Sequence, residues 1–475
     1  MSSKISKPTA RKRVSQALRL LPIRPRSTNR SVTVRVVGRV WGFLVSLLLI
    51  GCLGVTPPVQ AQPQDPTIDN RDPKYNEDEY TPFYTPPDPL PPSRPGDLIR
   101  TEPSRLVLEP SGQLGAIIAT GTRIMYRSTD ARGNPMAVTG TYFEPDNDWP
   151  GQGPRPLIVY GPGTQGQGDQ CAPSRQFNQG IHFSPYLDIA FNYEELFVTT
   201  MVARGFAIVM TDYQGLGTPG LHTYVNRVAE GNAMLDAGRA AMHLPDTSLD
   251  PHGPLAFWGY SQGGGAAASA AELAPSYAPE LHVVGSYAGA PTADLKELLP
   301  YADGSALVGV VGYALNSVIT SYPEFADVIR SKLTPRGKDL LYKVADQCVA
   351  ETVAKFMFRH LQPYFVEDIN QLVNEEPFSS LFDLQRIGKY KPNAPVLINS
   401  NRFDPLVPWT AANQLGRDWC SQGADVEFRT NEEPPFLNKL VVNHALPMLV
   451  DGEAAMQWIA DRFNGVPTTP NCGQF

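Results

Sequence analysis

Two runs rich in β-branched and aromatic residues, spanning 126–142, flank Asp130-Ala131-Arg132-Gly133-Asn134, a pattern that predicts a β-hairpin. Beyond it, short apolar runs alternate with stretches of helical periodicity. Residues 157–160, 206–211 and 255–258 predict buried strands, and 192–203, 227–243 and 263–274 predict helices among them. Further strands are expected at 283–287 and 396–399, and Asp425 and Glu427 fall in an expected edge strand. Short apolar strands alternating with helices imply a mostly parallel sheet covered on both faces. From 292 to 391 the alternation stops and helices follow one another, as expected for an inserted cap. No repeat period is evident.

The chain before the hairpin reads differently. Residues 1–61 hold eleven Lys and Arg and no acid, and the stretch ends in an uncharged run, 40–55. Sixteen residues fall short of the ~20 that span a bilayer. A basic region, an apolar region and Val59-Gln60-Ala61 as a small-residue cleavage site predict a signal peptide over 1–61. The alternatives are an uncleaved N-terminal anchor or a lipoprotein acylated at Cys52, since Leu49-Ile50-Gly51-Cys52 resembles a lipoprotein box. Residues 62–110 are Pro-rich, with 14 prolines between Thr56 and Pro110, and are expected to run extended over the surface. Residues 111–475 then form the main domain.

Charge and cysteine content narrow the function classes. The whole chain has net charge −7, but without the leader 29 basic residues face 47 acids, so no nucleic-acid partner is expected. Export leaves Cys171, Cys348, Cys420 and Cys472, an even number that predicts two disulfides in one of three connectivities. No metal-ligand spacing appears and no cofactor is expected.

The candidate chemistry begins at Gly259-Tyr260-Ser261-Gln262-Gly263. This G-x-S-x-G pattern directly follows an apolar strand and precedes a helix opening with Gly264, Gly265 and Ala266-Ala267-Ala268, the context of a nucleophile elbow. A serine hydroxyl needs a base to take its proton and a carboxylate to orient that base. In chains with this elbow the order is Ser, acid, His. Of seven histidines only His282, His360 and His444 follow Ser261. His282 opens a strand and His360 lies in the insertion, which leaves His444, near the C-terminus and ahead of the last helix, as the base. Asp404, just past the strand at 396–399, is the acid; Asp418, Asp425 and Glu427 read as solvated faces.

These residues carry a resemblance. The chain from about residue 72 to 472 resembles the secretory lipase family, the α/β-hydrolases of the fungal lipase A type. Its specific pieces are Pro82-Phe83-Tyr84 with Pro95-Gly96-Asp97-Leu98-Ile99-Arg100, and Gly163-Thr164 ahead of Cys171-Ala172-Pro173-Ser174. To these add Thr211-Asp212-Tyr213-Gln214-Gly215-Leu216-Gly217, the Ser261 elbow, and Asp404 with Val407-Pro408. The resemblance implies an α/β-hydrolase fold: a mostly parallel central sheet flanked by helices, with an inserted helical lid. It implies carboxylester hydrolysis by Ser261, Asp404 and His444, and disulfides Cys171–Cys348 and Cys420–Cys472. Two features depart from the family pattern. Tyr160-Gly161-Pro162-Gly163-Thr164 replaces a common His-Gly-Thr, and Asn401 stands where a glycine often precedes the acid, a position where Asn tolerates left-handed backbone.

An oxyanion hole needs two donors. The backbone N–H of Gln262 is one; Thr164, through N–H or hydroxyl, is expected to supply the other, with Gly163 as fallback. Asp212 reads as a buried turn-former, while His222 and Tyr224 could line the pocket. The expected function is a secreted serine esterase or lipase acting on a lipid or small ester, compatible with contact at a lipid interface and requiring no obligate protein partner. The alternatives are an acyltransferase or other serine hydrolase, and a silent lipid-binding protein; an intact nucleophile, acid and base argue against the last.

Overall fold

The computed structural model describes residues 82–106, 118–180, 182–183, 189–190 and 192–475. The leader with its signal features and Cys52 lies outside the described residues. Nine strands make one sheet: β1 (Leu98–Ser104), β2 (Ala119–Thr129), β3 (Pro135–Pro145), β4 (Leu157–Gly161), β7 (Ala207–Thr211), β8 (Pro254–Tyr260), β9 (His282–Gly289), β10 (Val396–Asn401) and β11 (Val426–Asn431). Two two-residue strands, β5 (His182–Phe183) and β6 (Ile189–Ala190), pair apart from it. The order is β1-β2-β3-β7-β4-β8-β9-β10-β11. The first four strands in this order pair antiparallel, and all pairings from β7 to β11 are parallel.

Alternation along each strand explains why both faces are covered. In β4, Leu157 and Val159 join one core while Ile158 and Tyr160 join the other. Ala207 and Val209 face Ile208 and Met210 in the same way, as do Leu255 and Phe257 with Ala256 and Trp258. A strand buried on both sides must be apolar at every position, which is why these runs lack polar residues. Helices α3 (Arg227–Met242), α4 (Gln262–Tyr277) and α12 (Trp409–Ser421) cover the first face. Helices α2 (Glu195–Ala203) and α14 (Gly452–Phe463) cover the second. A short α1 (Pro173–Gln179) and α13 (Val442–Val450) complete the layers.

The described part of the Pro-rich segment, residues 82–106, includes an extended strand but is not confined to the surface. Within it β1 pairs antiparallel with β2 at the sheet's edge, and Phe83 and Tyr84 are buried against Met125. Pro103 is tolerated because an edge strand can spare a donor. The guanidinium of Arg175 lies 4.0 Å from the Tyr84 ring centroid, and that of Arg123 4.9 Å from Phe83, so cation–π contacts fasten this segment.

Between β9 and β10 the chain forms only helices: α5 (Leu295–Ala302), α6 (Val310–Ser321), α7 (Ala326–Ser331), α8 (Pro335–Val344), α9 (Val349–Phe356), α10 (Ile369–Leu372) and α11 (Phe378–Gln385), with short 3₁₀ turns. They share an apolar core, separate from the two sheet cores, that also takes in Tyr224, Val225, Leu406 and Val407. The carboxyl ends of β4 and β8, neighbours where the strand order reverses, open toward these four residues. Crevices at such a point are where open parallel sheets place their sites.

Candidate active site

Ser261 joins β8 to α4 with φ 60° and ψ −118°, a region that non-glycine residues rarely occupy. The strain is held by its N–H donating to the Gly289 carbonyl (2.9 Å) and its carbonyl accepting from Gly265 (3.0 Å). Gly259 and Gly263 make the turn possible: a Cβ on the first would strike the Gly263 backbone, and one on the second the Gly161 carbonyl. The glycines of the elbow therefore answer to close backbone approach.

Asp404 follows β10. Its Oδ1 accepts the N–H groups of Leu406 and Val407, both at 2.9 Å, which fixes the carboxylate and leaves Oδ2 for His444 Nδ1 at 2.8 Å. His444 sits in the first turn of α13, after Val441 in a left-handed conformation (φ 54°, ψ 30°). The Tyr260 hydroxyl donates to the His444 carbonyl (2.6 Å). A carboxylate can only accept, so Nδ1 carries the proton and Nε2 is free to accept from Ser261 Oγ, 2.8 Å away. Asp404 and His444 are 3% and 7% exposed, which screens the relay from bulk water. The structure thus brings Ser261, His444 and Asp404 into one hydrogen-bonded chain. Asp418 is elsewhere, paired with Arg386. His282 begins β9, and His360 pairs with Asp303 in the cap.

Gln262 is the first residue of α4, so its N–H has no acceptor within the helix and lies at the positive end of the macrodipole. Thr164 follows β4 and is held at two atoms: its Oγ1 is 2.8 Å from the Tyr224 hydroxyl, and its carbonyl accepts from the Tyr193 hydroxyl at 3.2 Å. The fallback, Gly163, is committed elsewhere, because its N–H donates to Glu194 Oε2 at 2.8 Å.

Two supporting residues, Glu194 and Glu230, carry no signal in the sequence that singles them out. Both are buried with no salt bridge among the described residues, and burial pushes each carboxyl up to about 8. His222 is buried and lowered to about 4 by desolvation, so it is neutral at ordinary pH. Gln262 Nε2 donates to both His222 Nε2 (2.9 Å) and Glu230 Oε1 (2.7 Å). Asn401 has no left-handed backbone, so the tolerance of Asn for that region is not called upon. As the last residue of β10, it accepts from Phe403 N–H (2.7 Å) and from Asn443 Nδ2 (3.4 Å), which ties the acid's loop to the residue before His444. Asp212 is buried as expected, but its carboxylate accepts from Thr139 of β3 and Ser174 of α1, so it ties distant segments to the end of β7 rather than closing a local turn.

Ser261 opens on an apolar cavity of about 120 Å³. Ser261, Tyr224 and Val225 form its inner wall, and Leu299, Val311, Leu315, Val318 and Phe382 of the cap form the outer one. Val310, Val311 and Leu315 of the cap line the cavity. Val308 and Phe356 belong to the cap's own core, and Phe358 is exposed.

The sulfurs of Cys171 and Cys348 are bonded, as are those of Cys420 and Cys472. The first pair joins the segment after Thr164 to the start of α9; the second joins the end of α12 to the C-terminal tail. Among the described residues no cluster of three or more His, Cys, Asp or Glu could hold a metal ion.

Curated relatives are similar over most of the chain. A Mycobacterium tuberculosis protein described as a probable inactive lipase is 28% identical over 390 residues, 82% of this chain and 83% of that protein. Lipase 1 of Candida albicans is 27% identical over 82% of this chain and 81% of its own length. A Malassezia furfur secreted triacylglycerol lipase is 27% identical over 70% of this chain and 84% of that protein. In fold, the chain is similar to the crystal structure of Candida antarctica lipase A, with a TM-score of 0.71 at 21% identity over 83% of this chain and 88% of that one. The family model described as "Secretory lipase" matches residues 182–471. With more than half its length so matched, the chain belongs to the secretory lipase family, and its sheet with helical flanks is an α/β-hydrolase fold.

Proposed function

We propose that the chain is a secreted serine carboxylester hydrolase that cleaves fatty-acyl esters through an acyl-enzyme on Ser261. One observation carries the reading: Ser261, whose hydroxyl meets His444 Nε2 at 2.8 Å, also lines an apolar cavity. His444 takes the Ser261 proton as Oγ attacks the ester carbonyl carbon, and Asp404 stabilises the imidazolium. The N–H groups of Gln262 and Thr164 meet the charge that develops on the carbonyl oxygen. Collapse expels the alcohol, which takes its proton from His444. Water then attacks the acyl carbon with His444 again as base, releasing the acid and restoring Ser261. The acyl chain lies in the cavity between Tyr224, Val225 and the cap, with residues 292–391 acting as the lid that sets its fit.

The described relative with an inactive label makes a silent protein the reading to exclude. Hydrolysis of a p-nitrophenyl ester series, from acetyl to palmitoyl, on the mature protein tests the proposal, with Ser261→Ala as the blank. Turnover that vanishes in the variant supports it; equal turnover in both proteins, or none with any chain length, contradicts it. Residues 1–61 serve as the export signal, cut after Ala61. N-terminal sequencing of exported protein should begin at Gln62, whereas a lipid-modified Cys52 would show an anchored lipoprotein.

A further inference from the structure

Two carboxyl groups with no step in this scheme stand behind the two oxyanion donors. Building on the reading of Ser261 as nucleophile, we propose that Glu194 and Glu230 are positioning residues that brace the two halves of the oxyanion hole.

Geometry assigns each a half. Glu194, fully buried, accepts the Gly163 N–H at 2.8 Å through Oε2 and the Tyr160 hydroxyl at 3.2 Å through Oε1. It therefore fixes the Pro162–Gly163 peptide, one before the peptide that carries the Thr164 N–H, while the neighbouring Tyr193 hydroxyl holds the Thr164 carbonyl. Glu230 acts from the other side. Its Oε1 accepts Gln262 Nε2 at 2.7 Å, which seats the residue whose N–H is the first donor. The same oxygen accepts the Val225 N–H at 2.8 Å. Val225 is β-branched with φ 53°, a conformation that persists only where bonds enforce it, and it lines the acyl cavity. One carboxyl group thus couples the nucleophile's elbow to the wall that receives the acyl chain.

Burial, and not the hydrogen bonds, favours the neutral form: the donors from Gly163, Tyr160, Gln262 and Val225 each pull toward the carboxylate, and desolvation outweighs them. Tyr160 of β4, Tyr193, and Tyr213 after β7 surround Glu194; Tyr213, His222, Tyr224 and Gln262 surround Glu230. His222 donates through Nδ1 to the Gln214 carbonyl (3.0 Å) and accepts from Gln262, so it carries no charge. Among the described residues neither glutamate forms a salt bridge. Burial is the leading cause of the rise of both groups to about 8. Above that pH each would place a negative charge beside the oxygen on which negative charge develops, opposing the hole's function.

The test follows release of acid from a soluble short-chain ester by pH-stat between pH 5.5 and 10. It compares wild type, Glu194→Gln, Glu230→Gln, the double Gln variant, and the two Ala variants, with Ser261→Ala as blank and thermal melts as the folding control. Wild-type kcat should fall through an apparent value near 8. The double Gln variant should keep its kcat to at least pH 9. Each Ala variant should lose roughly 10-fold or more in kcat with little change in KM, as expected when an oxyanion donor is misplaced, and the Gln variants should recover most of that loss. A merely structural role would leave the alkaline limb in place. An alkaline limb unchanged in the double Gln variant, or absent from wild type, overturns the proposal; so does wild-type kcat in both Ala variants. If an Ala variant fails to fold, the Gln profiles decide. Absence of Ser261-dependent turnover would instead defeat the reading of the site itself.

Discussion

Replacing Cys420 and Cys472 together by serine tests how the C-terminal segment is held. The bond closes a loop of 52 residues. In the chain-entropy model, loss of a loop this long costs about 4 kcal/mol, an upper figure for a real protein. The native tail should stay in place, because Asn471 still exchanges three hydrogen bonds with β11, through Val426 and Phe428, and Phe475 stacks on Phe428 with ring centroids 4.7 Å apart. The effect is then mainly on the unfolded chain. With ~2 cal/mol/K of unfolding entropy per residue over a domain of this size, the melting temperature should drop by about 5 °C. Turnover at 25 °C should be unchanged, since His444 is held by Asp404, Val441 and Tyr260 independently of the tail. Urea titration and thermal melts of the purified variant, beside esterase assays, measure both quantities. Removal of Cys171–Cys348 should show the opposite balance, because it ties the segment after Thr164 to the cap, and activity should fall even where the protein is folded. The reasoning is refuted if the Cys420/Cys472 variant loses activity while retaining its stability.

Three other outcomes are expected. Ser261→Ala and His444→Ala should each lower kcat by several orders of magnitude with the fold intact, and Asp404→Ala somewhat less; steady-state kinetics giving a greater loss for Asp418→Ala would displace Asp404 as the acid. Val311→Phe and Leu315→Trp, which fill the cavity, should shift preference toward shorter acyl chains while short-ester activity persists; an unchanged chain-length profile would remove the cap from the binding site. Stability should depend on pH with a definite sign. Glu194 and Glu230 are raised from 4.5 to about 8, so the folded protein holds more protons, and their contribution is full below 4.5 and lost as pH rises through 8. His222, lowered from 6.5 to about 4, works in the opposite sense only below 6.5, so urea midpoints should fall between pH 6.5 and 9, and the double Gln variant should flatten that fall.

Legibility in the sequence followed the range of the interaction. The parallel strands were readable because burial on both faces forces unbroken apolar runs, and the run at 157–160 became β4 with one residue added. The elbow was readable because its glycines answer to backbone crowding within a few residues. In contrast, β1 carries Leu-Ile-Arg-Thr-Glu-Pro-Ser, with no alternation and a proline, and only its edge position makes it a strand. Asn401 could be located but not understood, since its function depends on Asn443, 42 residues away. Glu230 stands in a helix of small residues with nothing local to mark it as uncharged; burial against α4 and the loop before α3 decides that. The left-handed residue that starts α13 is valine, which no local preference would suggest.

The central claim is that Ser261 is the nucleophile of an acyl-transferring site. The most direct measurement is intact-protein and peptide mass spectrometry after treatment with a p-nitrophenyl alkylphosphonate, which mimics the tetrahedral acylation step. The account predicts one stoichiometric adduct on the peptide containing Gly259-Tyr260-Ser261-Gln262-Gly263, formed together with loss of esterase activity and absent from Ser261→Ala. An adduct on another residue with activity lost, or full inactivation of the enzyme without modification of Ser261, would contradict it.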